Sequence, residues 1–238
     1  MSDPGEVGEK GSDVVDVATP TPLDADARRE LLTVLTAEHS NLQAARSAGV
    51  VEANGRTTAF LAALSGSLVA LALVAQVQSL GEFIGAIALV LAATVLYTGL
   101  VTFFRLAQLA RLDSRLVIGI SRIRHSYLEM VPSLASVEVL SPYDDLAGIL
   151  GETGLTGRSA NRLDVLATAP GMIAGIDGVL AAVLAGLVGA ELGFPSSASL
   201  IIGFIAGLAT DVALIAYGLR SGARFWRAHP PRHPTPRG

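Results

Sequence analysis

Asp177 and Asp211 stand out chemically because each interrupts a run of apolar residues long enough to cross a bilayer. The runs Leu166–Ala190 and Ala198–Leu219 each hold about 20 residues or more, which at 1.5 Å per residue spans a hydrocarbon core of roughly 30 Å. An acid at such depth costs a few kcal/mol, so it faces protein or water rather than lipid. Counted from the basic ends of their runs, both acids lie roughly 14–17 Å deep. Asp211 continues Ser199, Gly203 and Gly207 at four-residue spacing, and Asp177 heads Ala181, Ala185 and Gly189. Stripes of small residues let helix backbones approach closely, so the two acids are expected to meet at a helix–helix contact. Two carboxylates sharing a low-dielectric site cannot both ionise cheaply, and at least one is expected to be protonated near neutral pH. Three roles fit. The pair can be a proton or cation site, or line a water-filled vestibule without transport. It can also be two neutral acids, hydrogen-bonded to Thr168, Thr210 or Tyr97, that staple the bundle; the lack of a basic partner at that depth favours this role.

A second candidate set is basic. Asn54 and Arg56 precede the first apolar run, and Arg122, Arg124 and His125 lie on the central helix. Arginines can hold a nucleotide phosphate by bidentate contacts. They can equally salt-bridge Glu38 or Glu52, or lie against anionic lipid headgroups. No Walker loop, dinucleotide glycine pattern, HExxH or Ser/His/Asp set is present, so no catalytic residue is expected. With no cysteine and four scattered histidines, neither a metal nor a cofactor is expected. The net charge of −4 gives no partner signal, since acids gather near the start and bases nearer the apolar runs; nucleic acid is not an expected partner.

The elements that must position these residues are all helical. Residues 57–104 form a first transmembrane hairpin and residues 166–219 a second. The hairpin connectors Gln78–Glu82 and Glu191–Ser197 hold none of the 17 Lys and Arg residues. By the positive-inside rule the connectors face out, and both termini lie in the cytoplasm of a bacterial cell, with the chain in the plasma membrane. Residues 1–20 are expected to be a disordered cytosolic tail. Residues 21–56 form a cytosolic amphipathic helix, with Thr21 as cap, Pro22 in its first turn and Asp24 completing a box. It carries a Leu31/Leu35/Leu42 stripe and either breaks near Gly49 and Gly55 or runs on into the first crossing.

Residues 105–165 are a cytosolic helical region. Its Leu112/Leu116/Ile120 stripe is expected to pack on the first helix as a stalk; Pro132 ends its long helix, and a short helix follows around 142–150. Pro170 and Gly171 read as a kink. Residues 220–238 are a basic cytosolic tail, an interfacial anchor with a disordered end. A further ladder, Ala174, Gly178, Ala182, Gly186 and Ala190, serves either packing within one chain or a homo-oligomer contact.

Glu52-Ala53-Asn54-Gly55-Arg56 leading into a helix, with Ile123-Arg124-His125 followed by Tyr-Leu-Glu, resembles a group of small actinobacterial four-pass membrane proteins with no assigned activity. In that group an amide stands near the position of Asp177, which implies that the acid pair is not essential. The stretch Ala53, Asn54 and Arg56 also resembles the segment before the first crossing in membrane effectors of nucleotide-signalled antiphage defence, the Pycsar type. That resemblance implies a cytosolic nucleotide ligand and a role in antiviral defence. The expected class is therefore an all-α, polytopic membrane protein with four transmembrane helices and a cytosolic helical stalk, without enzymatic activity. Its expected role is a signalling or effector module, with a proton or cation channel and a passive scaffold as alternatives; the bilayer and a second copy are its expected partners.

Overall fold

The computed structural model describes residues 24–77, 83–137, 140–152 and 168–236. Among these there is no strand. Five α-helices follow in order: α1 Ala25–Val74, α2 Ile84–Met130, α3 Leu146–Glu152, α4 Ala169–Glu191 and α5 Ser196–Ala228. A 3₁₀ turn, Pro132–Ser136, follows α2. Helices α1, α2, α4 and α5 are each long and apolar enough to cross a membrane. Their surfaces agree: Leu200, Phe204 and Ile205 of α5 are 74%, 70% and 59% exposed, which suits a hydrocarbon surround and not water.

The chain divides into two compact units, Met1–Ala37 and Glu38–Gly238. The first contributes the opening turns of α1. Asp24 is its N-cap, with Oδ1 accepting from the Ala27 amide at 2.7 Å. The sequence pointed to Thr21 as cap, but Asp24 stands next to the first helical residue and takes that role; Thr21 and Pro22 lie outside the described residues. So do the N-terminal tail 1–20, the Gln78–Glu82 connector, the run from Asn161 to the start of α4 and all but the first two residues of the Gly151–Gly157 loop.

In the second unit α1 and α2 settle the question of interruption. Neither Gly49 nor Gly55 breaks α1, and α2 runs unbroken for 47 residues. An isolated glycine costs about 1 kcal/mol in a helix, too little to stop one held by neighbours. The two helices run antiparallel beyond the spans: Glu52 meets Arg105, Arg46 meets Asp113, Leu42 lies over Gly119 and His39 stacks on Tyr127. The two helices are therefore in contact from His39 to Glu52, chiefly through polar and ring pairs, while Leu112 of the expected apolar stripe is 46% exposed. Helix α2 ends at Met130, before Pro132, as its missing N–H requires.

Pro170 does not kink α4. It sits in the first turn, where its absent N–H is not needed, and Thr168 Oγ1 caps the helix by accepting from the Gly171 amide at 3.2 Å. Helices α4 and α5 are joined by a tight turn in which Gly193 has φ of 82°, a left-handed value that favours glycine. The core cluster gathers Phe60, Val95, Phe103, Leu106, Leu109, Ile173, Ala174 and Leu214, where α1, α2, α4 and α5 converge.

Candidate functional site

Glycines set the geometry around the intramembrane acids. Helices α4 and α5 touch backbone to backbone: a Cβ on Gly203 would come within 2.6 Å of the Ala182 carbonyl, and one on Gly207 within 2.7 Å of the Gly178 carbonyl. The ladder Gly178, Ala182 and Gly186 thus faces α5 of the same chain. Asp211 continues the α5 stripe as expected, and its carboxylate lies where a side chain on Gly178 would otherwise be. Asp177, one residue earlier on α4, points elsewhere: its carboxylate occupies the space in front of Gly99 of α2, beside the Phe60 ring of α1. The two acids therefore share a layer, but each fills the notch of a different glycine.

Asp177 is fully buried and neither carboxylate oxygen has a hydrogen-bond partner; Asp211 Oδ1 is likewise buried and unpartnered. The expected stapling donors are engaged or turned away. Thr210 donates to the Ala206 carbonyl at 2.8 Å, Thr168 caps α4, and Tyr97 is 70% exposed. Threonines 94, 98 and 102 of α2 likewise donate to carbonyls one turn back. Local back-bonding satisfies a hydroxyl inside a helix and removes it from reach of the acids.

The basic candidates fall into two separate places. At the junction of stalk and span, Glu52 accepts from Nε and Nη2 of Arg105, at 2.8 and 3.0 Å, and from Nε of Arg56 at 2.9 Å. Hydrogen bonds from Arg105 and then Arg56 pull the Glu52 carboxyl down to about 2. Arg56 is thus committed to Glu52, and Asn54 is exposed.

Far along α2, Arg122 donates to Asp144 at 2.7 Å. Asp144 is fully buried and also accepts the backbone amides of Arg232 and His233, at 3.0 and 2.7 Å. Burial alone would raise its pKa, but the Arg232 amide, the Arg122 guanidinium and the His233 amide outweigh it and hold the carboxyl below its ordinary value. Next to it, Asp145 caps α3 through the Gly148 amide and binds both the amide and the hydroxyl of Thr235. The His125 ring stacks on His233 with centroids 3.7 Å apart, and Arg124 is buried.

The C-terminal segment was expected to be a disordered anchor. Instead α5 extends through Ala228, and residues 229–236 fold back onto Asp144 and Asp145. Ser141-Pro142-Tyr143-Asp144-Asp145 carries a readable turn-and-cap signal. That the tail would supply its donors leaves no mark in either segment alone. No group of His, Cys, Asp and Glu among the described residues could hold a metal ion. No protein-family model, curated protein or solved structure matches the chain.

Proposed function

We propose that the protein is a non-enzymatic signalling or effector module of the bacterial plasma membrane, with both termini and the stalk in the cytoplasm. The carrying observation is the continuity of α2. The helix is unbroken from the acid layer to the tail clamp and is anchored by two buried groups, one from Val95 and Gly99 to Leu109 and one from Val117 to Arg124. A rigid helix packed on both sides transmits a change at one end to the other. The clamp is the input end of this reading, and the α1–α2–α4 layer at Phe60, Gly99 and Asp177 is the output end. The resemblance to antiphage effectors supports a nucleotide ligand, and exposed Asn54, at the junction of stalk and span and apart from the clamp, leaves one contact available for it. A second copy as partner belongs to the same reading.

The chain has no cysteine, which makes thiol chemistry a clean test. Cysteines at Leu42 and Gly119, joined by a short bifunctional thiol reagent, should slow hydrogen exchange around Gly99 in the bundle as well as in the stalk. Slowing restricted to the stalk contradicts the module. Single cysteines at Ser196 and Arg115 should label from outside and inside the cell, respectively, and a reversed pattern overturns the orientation. A second reading, a proton or cation pathway, is favoured by the buried, unpartnered Asp177 carboxylate. Flux in proteoliposomes that Asp177→Asn abolishes supports it, and absence of flux in the unaltered protein removes it.

A further inference from the structure

Four arginines of the stalk are matched to acids: Arg46 to Asp113, Arg56 and Arg105 to Glu52, Arg122 to Asp144; exposed Arg115 is not matched among the described residues and faces solvent. Arg111 departs from this pattern. It is half-buried, it has no carboxylate within ion-pairing distance among the described residues, and its Nη1 donates to the neutral Ser221 hydroxyl of α5. It lines a cavity of ≈ 240 Å³ bounded by α2, α4 and α5. The walls change character along its length. Phe103, Ala174 and Leu214 close the end toward the spans, while Arg111, Ser114 and Trp226 lie at the other.

Two glycines of α5 keep this space open. A Cβ on Gly218 or Gly222, one helical turn apart, would meet no heavy atom within 4 Å. Gly203 and Gly207 of the same helix do the opposite and bring a neighbouring backbone into contact. Gly218 and Gly222 therefore leave room, and the room lies beside a guanidinium that no acid among the described residues neutralises.

Position identifies the occupant. The apolar run of α2 ends near Phe104 and that of α5 near Leu219, so the cavity straddles the boundary between hydrocarbon and headgroups. Trp226 and the exposed Arg220, Arg224 and Arg227 mark the headgroup level on α5. An anionic phosphate complements Arg111, and an acyl chain complements the wall formed by Leu214 and Phe103. A soluble phosphate ester would satisfy the first and leave the second unfilled.

We propose that this cavity binds one anionic phospholipid from the leaflet at the basic end, with its phosphate on Arg111 and the upper part of an acyl chain along Gly218 and Leu214. The site is independent of whether the bundle signals or conducts.

Native mass spectrometry of the full chain, released from detergent and titrated with phosphatidylglycerol or phosphatidylcholine, tests it. The unaltered protein should hold its first phosphatidylglycerol about tenfold more tightly than phosphatidylcholine, a preference that charge-assisted hydrogen bonding supplies. Arg111→Gln should erase most of that preference, whereas Arg115→Gln, at an exposed arginine one turn on, should keep it. Gly218→Leu, whose side chain enters open space, should weaken both lipids while thermal stability is retained. This variant decides the matter even where Arg111→Gln fails to fold. Equal binding of the two lipids by the unaltered protein, wild-type binding by Gly218→Leu, or displacement of phosphatidylglycerol by an equal concentration of a cyclic mononucleotide would each overturn the proposal.

Discussion

Asp144 and Asp177 are both 0% exposed, yet one is surrounded by donors and the other by none. Asp144 lies beyond the spans and takes a guanidinium and two backbone amides. Its charge is built into the fold, and it fixes residues 229–236, nearly ninety positions later in the chain, with |i−j| of 88 and 89 for its two amide partners. Asp177 lies in an apolar run and meets Gly99 and Phe60 instead. Its carboxylate contributes shape, filling a notch, where the Asp144 carboxylate contributes charge. Burial alone therefore does not define what a buried acid does; the donors aimed at it do.

The contrast predicts unequal costs. Asp144→Ala removes the partner of the part-exposed Arg122 and strands two backbone amides, at about 3 kcal/mol in all. It should lower the thermal midpoint and open residues 229–236 to limited proteolysis; a tail that stays protected breaks the contrast. The pH dependence has a definite sign. Because the folded Asp144 pKa lies below its ordinary 3.8, the clamp is fully present above pH 3.8 and is lost as pH falls through the folded value. Tail protection measured by hydrogen exchange should hold through neutral and mildly acidic pH and fail only below that point.

Next in size is the α4–α5 contact. Gly207→Ala drives a Cβ into the Gly178 carbonyl, an atom of a helix backbone that cannot swing aside, and overpacking of this kind costs about 2 kcal/mol. Gly99→Ala meets the Asp177 carboxylate instead, so its cost should shrink in an Asp177→Ala background. A double-mutant cycle on thermal stability checks this, and strict additivity would show that Asp177 does not fill the Gly99 notch.

Asp177→Asn alone should change stability by less than about 1 kcal/mol, since no donor is lost and the shape is kept. Glu52→Gln should have the smallest effect of all, because the Glu52, Arg56 and Arg105 side chains are 34%, 44% and 40% exposed. Its signature is in pH. With the carboxyl lowered from 4.5 to about 2, the cluster's contribution is complete above pH 4.5 and disappears on descent to about 2. Thermal melts should show the unaltered protein losing an advantage over Glu52→Gln across that window.

Much of the spanning region was legible because apolar length and small-residue stripes are local or periodic signals. Ser199, Gly203 and Gly207 fell on one face by spacing alone, and the structure buries all three. The direction of Asp177 was not legible. A four-residue repeat places an acid on a face but does not say which of two neighbouring helices owns that face, and here Gly99 of α2 does. The tail clamp was hidden for a different reason: Asp144 and Asp145 share no periodicity with residues 232–235, and three of the four donors that the tail gives them are backbone amides that every sequence has. Arg111 reads like any other stalk arginine in the sequence; what sets it apart is being half-buried against Ser221 at a cavity with no acid among the described lining residues.

Hydrogen exchange in lipid nanodiscs on the unaltered protein and on Asp144→Ala tests the coupling of the two regions most directly, because the tail is joined to the end of α5 at Ala228. If the clamp and the bundle act as one module, releasing the tail should also lower protection across Gly203–Asp211, by about tenfold or more as cooperative units open together. Faster exchange confined to residues 140–152 and 229–236, with Gly203–Asp211 unchanged, would show two independent regions and contradict the account.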